Sequence, residues 1–542
     1  MPVQLHIDTK TLAAAAGVSL FECAERVGVR VPTSCHKNGK CRECLVEVTE
    51  GMACLSPPTP EEKHLGEGFR LACRARIAAD SGTLRCHTLR RGEMRIEEEA
   101  DGVACRLQGT DPAVRRQGDR VLLDGQEVAR SRGPLHGLAV DLGTTTVVVR
   151  LIDLETGTIR DARSFENPQR FGGSDVMARI RYDTDHPGRL LQRVLLGYLS
   201  HAIEELDGDP ETIYEIVVAG NSTMRDLFFG LDVHSIGQRP YRSLVEHELR
   251  AGERSTTALT LPAARLRLPV HPRARVYGLP LISGHVGADA ASALLATGLA
   301  DEDHLAVLMD IGTNTELIVG RRGELLAASC PAGPAFEGGL ISCGMPGLRG
   351  AIESVRIRDD GSVAHRVIGE TPPQGVCGSG LVDLLSELRR TERMNELGRF
   401  TDESSSFPVD AERGLRITEE DISQLAQAKG ANVAGLRIGL QRYGVEVDDI
   451  EVFYLAGGFG KYLSVDSARR IGLIPNLPDE KIRQVGNTSI EGATLALLSA
   501  SRRRELEDVV KGVTHVELET DEDFFDHFVD GCQFVPVGGR GA

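Results

Sequence analysis

Apolar and polar positions alternate over residues 3–7, Val-Gln-Leu-His-Ile, a period of two that predicts a half-buried strand. Ser19 and Glu22 then stand at capping-box spacing ahead of a short helix that gathers Leu20, Cys23, Ala24 and Val27 on one face. The β-branched run 45–49 and the stretch 69–77 read as further strands, with a cysteine-bearing loop between the helix and the first of them. After residue 85 the periodicity fades: residues 97–101 are a charge run, and a linker or small strand-rich piece is expected to about Gly133. Leu138 to Arg150 reads strand, tight turn, strand, with Ala139 and Val140 inward and Val147 to Val149 resuming a β-branched run. The same pattern recurs over 308–319. Between the two copies, a loop over 167–174 leads into a helix for which Ser174 is a candidate cap, and 190–206 forms an amphipathic helix. Residues 235–275, rich in Arg, Pro and Leu, show no clean period; further on, the apolar strand 452–456 ends in Gly457-Gly458.

A chain of 542 residues exceeds one domain, and we divide it into residues 1–85, 86–133 and 134–542. Its formal charge of −17, with no basic tract, argues against nucleic acid as a partner. There is no basic n-region followed by an apolar h-region, and no run of about 18 apolar residues, so a cytoplasmic protein without a membrane partner is expected. Eight of the 12 cysteines fall before residue 106. In a cytoplasmic chain that asymmetry points to metal rather than disulfides.

Cys35, Cys41 and Cys44 share one loop containing Gly39, and Cys73 arrives from a distant strand. Three thiolates in one loop with a lone fourth suit a 2Fe-2S cluster, whose plant-type spacing is C-x4-C-x2-C…C; here the first gap is one residue longer. Zinc is the rival ligand of four thiolates, but C-x2-C knuckles in two copies would be its signature. Cys54, in a Pro-rich run, and Cys86, after the predicted strand 69–77, compete with Cys73 for the fourth position. Cys23, Cys105, Cys330, Cys343, Cys377 and Cys532 read as packing thiols.

The two hairpins carry the second chemistry. Asp141, Gly143, Thr144 and Thr145 in the first answer to Asp310, Gly312, Thr313 and Asn314 in the second. Backbone N–H groups and hydroxyls gathered at such turns suit phosphate oxygens, and an aspartate just ahead of the turn can hold a cation directly or through water. Two such turns can grip one nucleotide from both sides. No G-x-x-x-x-G-K-[ST] occurs, and the glycines around Gly457 have the wrong spacing for G-x-G-x-x-G.

This duplication resembles the ATPase superfamily of actin, sugar kinases and chaperone ATPases. Gly457 and Gly458 resemble its adenosine turn, and 216–224 and 486–493 resemble its hinge-flanking pieces. The cysteine loop resembles that of hydroxylase-type ferredoxins. The two together, with Asn167-Pro-Gln, Gly220-Asn-Ser-Thr, Ser283-Gly-His-Val-Gly-Ala-Asp, 331–338 and Gly378-Ser-Gly, resemble the reductive activators of corrinoid-dependent methyltransferases over nearly the whole chain. The resemblance implies a multidomain protein, an α+β ferredoxin-type β-grasp followed by an α/β two-lobed, ribonuclease-H-like ATPase of actin and sugar-kinase type. It implies one-electron reduction of Co(II) to Co(I) in a corrinoid protein, with a 2Fe-2S cluster, ATP and Mg²⁺ as cofactors and a low-potential electron donor as a second partner; it allows a homodimer. In that reading Asp310 positions the attacking water and Asp141 is the Mg²⁺ partner, with the roles open to exchange. One branch of the family carries C-terminal 4Fe-4S cysteine clusters, which this chain, with only Cys532 there, does not match. Plant-type clusters lie near about −400 mV, and the Co(II)/Co(I) couple is expected lower; each ~59 mV of that gap costs about 1.4 kcal/mol. The alternatives are an ATP-driven donor to another redox enzyme, a redox-sensing small-molecule kinase and a partner-binding ATPase.

Overall fold

The alternation at the N-terminus becomes the core of a five-stranded sheet in the computed structural model, which describes residues 2–35, 37–89, 110–458, 460 and 462–538. Cys105 and the charge run 97–101 lie outside the described residues. Strands β1 (Val3–Ile7), β2 (Lys10–Ala14), β3 (Leu45–Glu50), β4 (Phe69–Leu71) and β5 (Thr83–Thr88) assemble in the order β2-β1-β5-β3-β4, with β1 parallel to β5. The helix Leu20–Arg26 lies against this sheet with Leu20, Phe21, Cys23 and Ala24 buried, while Val27 is its C-cap. Its predicted capping box is present: Ser19 Oγ accepts from the Glu22 N–H at 3.2 Å, and Glu22 accepts from the Ser19 N–H at 2.9 Å. Losing such a cap costs about 1 kcal/mol. This is the β-grasp arrangement. Strand β4 is shorter than predicted: it stops at Leu71, and Cys73 lies in the turn beyond it, where a strand would have directed alternate side chains away from the loop.

Residues 114–130 form a three-stranded meander, β6 (Val114–Gln117), β7 (Arg120–Leu123) and β8 (Gln126–Arg130). The first lobe follows. Strands β9 (His136–Leu142), β10 (Thr146–Asp153) and β11 (Ile159–Glu166) are antiparallel neighbours, and β12 (Ile213–Gly220) adds to β9 in parallel. The aperiodic stretch supplies the sheet's far edge, β13 (Leu259–Pro262) and β14 (Arg275–Gly278), with β14 parallel to β12. Strands of four residues, as both of these are, are too short to leave a period in the sequence. The helix after the 167–174 loop spans Val176–Asp185, and its cap is Asp175 rather than Ser174: Asp175 accepts from the Ala178 N–H at 2.8 Å. The amphipathic helix spans Leu190–Glu204.

The second lobe repeats the plan. Strands β15 (Ala306–Asp310), β16 (Thr315–Arg321) and β17 (Glu324–Cys330) are antiparallel. A subdomain then intervenes, with β18 (Ala351–Ile357), β19 (Val363–Val367) and β20 (Gly375–Val376) in one sheet and the hairpin β21 (Ser406–Asp410) and β22 (Leu415–Thr418) in another. Strand β23 (Val452–Ala456) joins β15 in parallel, followed by β24 (Ile482–Gly486), and β25 (Val513–His515) closes the other edge. Three antiparallel strands extended by two parallel ones, made twice, is the two-lobed ribonuclease-H-like plan.

Helices Ala288–Thr297 and Thr488–Leu498 cross between the lobes at close range: Ser292 Oγ donates to the Ser489 carbonyl at 2.6 Å, and a Cβ on Gly492 would strike the Ser292 carbonyl. Only glycine permits that approach. The ferredoxin and the first lobe share one continuous apolar core. At their junction the Leu89 N–H donates to the buried Tyr198 hydroxyl at 3.0 Å, and Pro32 lies against Gly197. Among the described residues no helix is long and apolar enough to cross a membrane.

Candidate functional site

The cysteine loop winds through left-handed backbone at Lys37 (φ 68°), Gly39 (φ 78°) and Arg42 (φ 61°). Glycine is favoured at Gly39 because its φ of 78° is a backbone conformation that residues with a Cβ rarely adopt, and the Arg74 guanidinium lies where that Cβ would be. Such a path turns N–H groups inward. Cys41, Cys44 and Cys73 are buried and Cys35 keeps partial exposure. Cys44 Sγ and Cys73 Sγ lie 3.3 Å apart. Burial opposes ionisation of the Cys35 thiol, yet hydrogen bonds from Cys41 and from the Asn38 and Lys40 backbone bring it down to about 7. At Cys73 the hydrogen bond with Cys44 leads and a bond from the Gly39 backbone adds to it; the thiol is lowered against the cost of burial. Four converging thiols in a cradle of N–H groups fit a cluster of bridging sulfides and thiolates, in which such bonds stabilise sulfur charge. The competitors stand apart. Cys54 Sγ approaches the Thr83 carbonyl at 3.9 Å, and burial pushes the Cys86 thiol, on β5, up to about 12.

The phosphate turns face each other across a cleft of about 280 Å³. Strands β9 and β10 end at the first and β15 and β16 at the second, so each tip is fixed by a fully paired ladder. A Cβ on Gly143 would come within 2.6 Å of the Thr146 carbonyl, so glycine is needed at the turn. Asn221 donates to Thr144 Oγ1 at 2.9 Å. Thr145 Oγ1 donates to Glu337 at 2.8 Å, Thr313 Oγ1 donates to the same oxygen, and the two hydroxyls are 3.2 Å apart. Hydroxyls from both lobes thus already converge on one carboxyl oxygen, of a group that burial raises above the usual carboxylate range against those two hydrogen bonds. The Glu337 carboxylate stands in for what a phosphate oxygen would present there, and the donor set fits a nucleotide phosphate. Asn314 and Gly312 line the same cleft.

Gly457 takes φ 114°, a Cβ there would strike the Ile311 carbonyl, and its N–H bonds to the Gly486 carbonyl at 3.0 Å. Gly458 borders the cleft with open space where a Cβ would point. Beneath the turns, the N-terminus of helix Thr488–Leu498 holds both predicted aspartates. Asn487 and Ser489 each donate to Asp141 at 2.8 Å, and Thr488 donates to Asp310 at 2.9 Å. Burial, with the Asp141 charge behind it, raises the Asp310 carboxyl to about 7 against that hydrogen bond. Burial also raises Asp141. Asp289 is raised to about 7, by burial first and then by Asp310 and Asp141, and Glu316 is raised well above the usual carboxylate range by burial first and then by Asp289 and Asp310.

Asp289, Glu316, Glu337 and the Asn487-Thr488-Ser489 run are the site residues that sequence reasoning did not assign. Asp289 and Glu337 sit inside the glycine-rich stretches 283–290 and 333–339, where the family resemblance marks the segment but no local pattern says which side chain faces the cleft.

Three family descriptions match successive parts of the chain. The description "2Fe-2S iron-sulfur cluster binding domain" matches residues 4–78, "RACo middle region" 136–302, and "C-terminal domain of RACo the ASKHA domain" 304–538. The chain is 32% identical over 431 residues to the corrinoid activation enzyme RamQ of Eubacterium limosum, covering 74% of this chain and 70% of that protein. It belongs to the family of reductive corrinoid activators. It is also 25% identical over 425 residues to the [Co(II) methylated amine-specific corrinoid protein] reductase of Methanosarcina barkeri, 72% of this chain and 75% of that one. A solved structure titled reductive activator for corrinoid, iron-sulfur protein superposes with a TM-score of 0.71 at 28% identity, covering 98% of both chains. The activator thus joins a 2Fe-2S-binding ferredoxin domain to a nucleotide-binding domain of actin and sugar-kinase type.

Proposed function

We infer that the protein uses ATP to return a corrinoid protein from Co(II) to Co(I), one electron at a time. The observation that carries this reading is the seating of the cysteine loop on the lobe that bears the first phosphate turn: Arg193 donates to the Cys41 carbonyl at 2.9 Å. The division into residues 1–85, 86–133 and 134–542 follows the same logic, separating an electron-carrying unit from a nucleotide-driven one, with strand β5 of the first unit running on to Thr88.

Cys35, Cys41, Cys44 and Cys73 are the proposed cluster ligands; when bound, a 2Fe-2S cluster supplies one electron at low potential. Nucleotide phosphates would replace the Glu337 carboxyl between Thr145 and Thr313, held by those hydroxyls and by the N–H groups around Gly143, Thr144, Gly312 and Asn314. Asp310, with a carboxyl near neutrality, is placed to accept a proton from the attacking water. Asp141 has both oxygens engaged by Asn487 and Ser489, a fixed orientation suited to holding Mg²⁺ through its water shell. Gly457 and Gly458, which line the cleft, would hold the adenosine. Four carboxylates at one wall are themselves the argument for a divalent cation, which offsets their mutual repulsion. A low-potential donor would supply that electron to a cluster held by these cysteines.

The test follows cobalt absorbance in a mixture of reduced protein, ATP and a Co(II) corrinoid protein. Co(I) should accumulate and should slow or stop without ATP. Asp310→Asn should keep its iron and its nucleotide binding while losing turnover by about 10²-fold or more, the scale of a general base. Equal reduction without nucleotide, for every corrinoid protein tried, would overturn the reading.

A further inference from the structure

The nucleotide cleft and the cluster loop are joined through one short hook. Asn167 is tied twice to the first phosphate turn: its Nδ2 donates to the Gly143 carbonyl at 2.8 Å, and its backbone N–H to the Thr145 carbonyl at 2.6 Å. Asn167 also caps the 3-10 turn Pro168–Gly172, which carries Arg170. Arg170 leaves the lobe and grips the ferredoxin, donating to Glu47 at 2.5 Å and lying over the Phe69 ring at 5.8 Å. Both side chains of the ion pair are mostly buried, at 17% and 21% exposure, so water screens it only partly.

The two residues it touches are not arbitrary points on that domain. Glu47 and Phe69 are direct partners across β3 and β4. Cys44 immediately precedes β3, and Cys73 lies two residues beyond β4. Arg170 therefore holds the common base of both strands that lead to the touching pair of cysteines. A second arm runs alongside: Gln169 Nε2 donates to the Leu191 carbonyl at 3.3 Å, on the helix whose Arg193 holds the Cys41 carbonyl and approaches Glu43 at 3.8 Å. A cavity of about 300 Å³ between Phe69, Arg170, Thr144, Thr145 and Glu337 leaves room for the hook to move.

We propose that Arg170 is a positioning residue that makes nucleotide occupancy and cluster redox state interdependent, a coupling that rests on the activator reading above. Phosphates that displace Glu337 from Thr145 act on the turn whose carbonyls hold Asn167. Reduction adds one negative charge to the loop and strands that Arg170 and Arg193 grip. Each event acts on the same hook, which is the differential contact that coupling requires. The effect is reciprocal: if reduction changes nucleotide affinity by some factor, the nucleotide shifts the one-electron potential by the same free energy.

The experiment uses full-length, cluster-loaded protein and a non-hydrolysable ATP analogue with Mg²⁺. Affinity is measured in the oxidised and dithionite-reduced states, and midpoint potential by visible titration with and without the analogue. The wild type should show at least about a fivefold difference in affinity between redox states, the lower end of ordinary allosteric coupling, with a matching shift of about 40 mV. Arg170→Met, which keeps apolar contact with Phe69, should bring the ratio to within about twofold with iron content and visible spectrum retained, Arg170→Lys should keep part of it, and Glu47→Gln should act from the other side of the contact even if Arg170→Met proves unstable. Equal affinities in the wild type would overturn the proposal, as would a ratio that survives both Arg170→Met and Glu47→Gln. Cobalt reduction by the wild type separates the two claims: ATP-dependent reduction without redox-dependent affinity refutes the coupling alone, and redox-dependent affinity without corrinoid reduction refutes the activator reading alone.

Discussion

Asp289 is placed where its charge is unwelcome until a cation arrives. Its folded-state carboxyl titrates at about 7, raised by burial and then by Asp310 and Asp141, against an ordinary value of 3.8. A raised carboxyl means the folded chain keeps a proton that the unfolded chain releases. Stability from this group is therefore full below about pH 4 and is lost as pH rises toward 7. Asparagine carries no such loss. In metal-free, nucleotide-free protein, Asp289→Asn should raise the melting temperature, by more at pH 8 than at pH 5, with a gain on the order of 1 kcal/mol or more at the higher pH. Saturating Mg²⁺ and nucleotide should shrink or reverse it. Thermal melts at the two pH values decide the matter, and a gain that is larger at pH 5 would mean that Asp289 is not held protonated. Asp141 and Asp310 were legible in the sequence because each precedes a Gly-Thr turn whose geometry is local. Asp289 and Glu316 were not, because their meeting depends on two lobes closing, and no local pattern encodes which buried carboxylates will share a wall.

At the scale of elements, the two-lobed plan was legible because its hairpins repeat, and their ladders form where the β-branched runs lie. What escaped was the crossing of helices Ala288–Thr297 and Thr488–Leu498, which delivers Asp289 on one side and Asn487 and Ser489 on the other. Both helices are nearly apolar all round, so neither shows a buried face by period. The crossing depends on Gly492, whose missing Cβ lets it meet the Ser292 backbone. Gly492→Ala should force the helices apart at a cost of about 1–3 kcal/mol, the usual range for overpacking. The same shift moves Asn487 and Ser489 away from Asp141, so ATP turnover should fall together with melting temperature while iron content stays at the wild-type level. Turnover that is unchanged in a destabilised variant would detach this crossing from the chemistry.

At the scale of the whole molecule, the cysteine loop and the phosphate turn belong to one chain and meet within it, at Arg193 with Cys41 and at Arg170 with Glu47. The sequence announced both modules, each by a short motif, but not this contact: Glu43, Glu47, Arg170 and Arg193 are ordinary surface charges until the fold pairs them. If electron delivery and nucleotide turnover act in cis, two defective chains should not rescue each other. Cys41→Ala should bind nucleotide without holding a cluster, and Asp310→Asn should hold a cluster without hydrolysing ATP. Mixed at equal concentration with ATP and a Co(II) corrinoid protein, they should reduce cobalt no faster than the sum of the two alone. The contact favours this outcome because the ferredoxin and first lobe share a continuous core, which an intermolecular encounter would have to rebuild after opening it. Rescue that rises with protein concentration would place the working cluster and the working ATPase in different subunits, making a homodimer the functional unit.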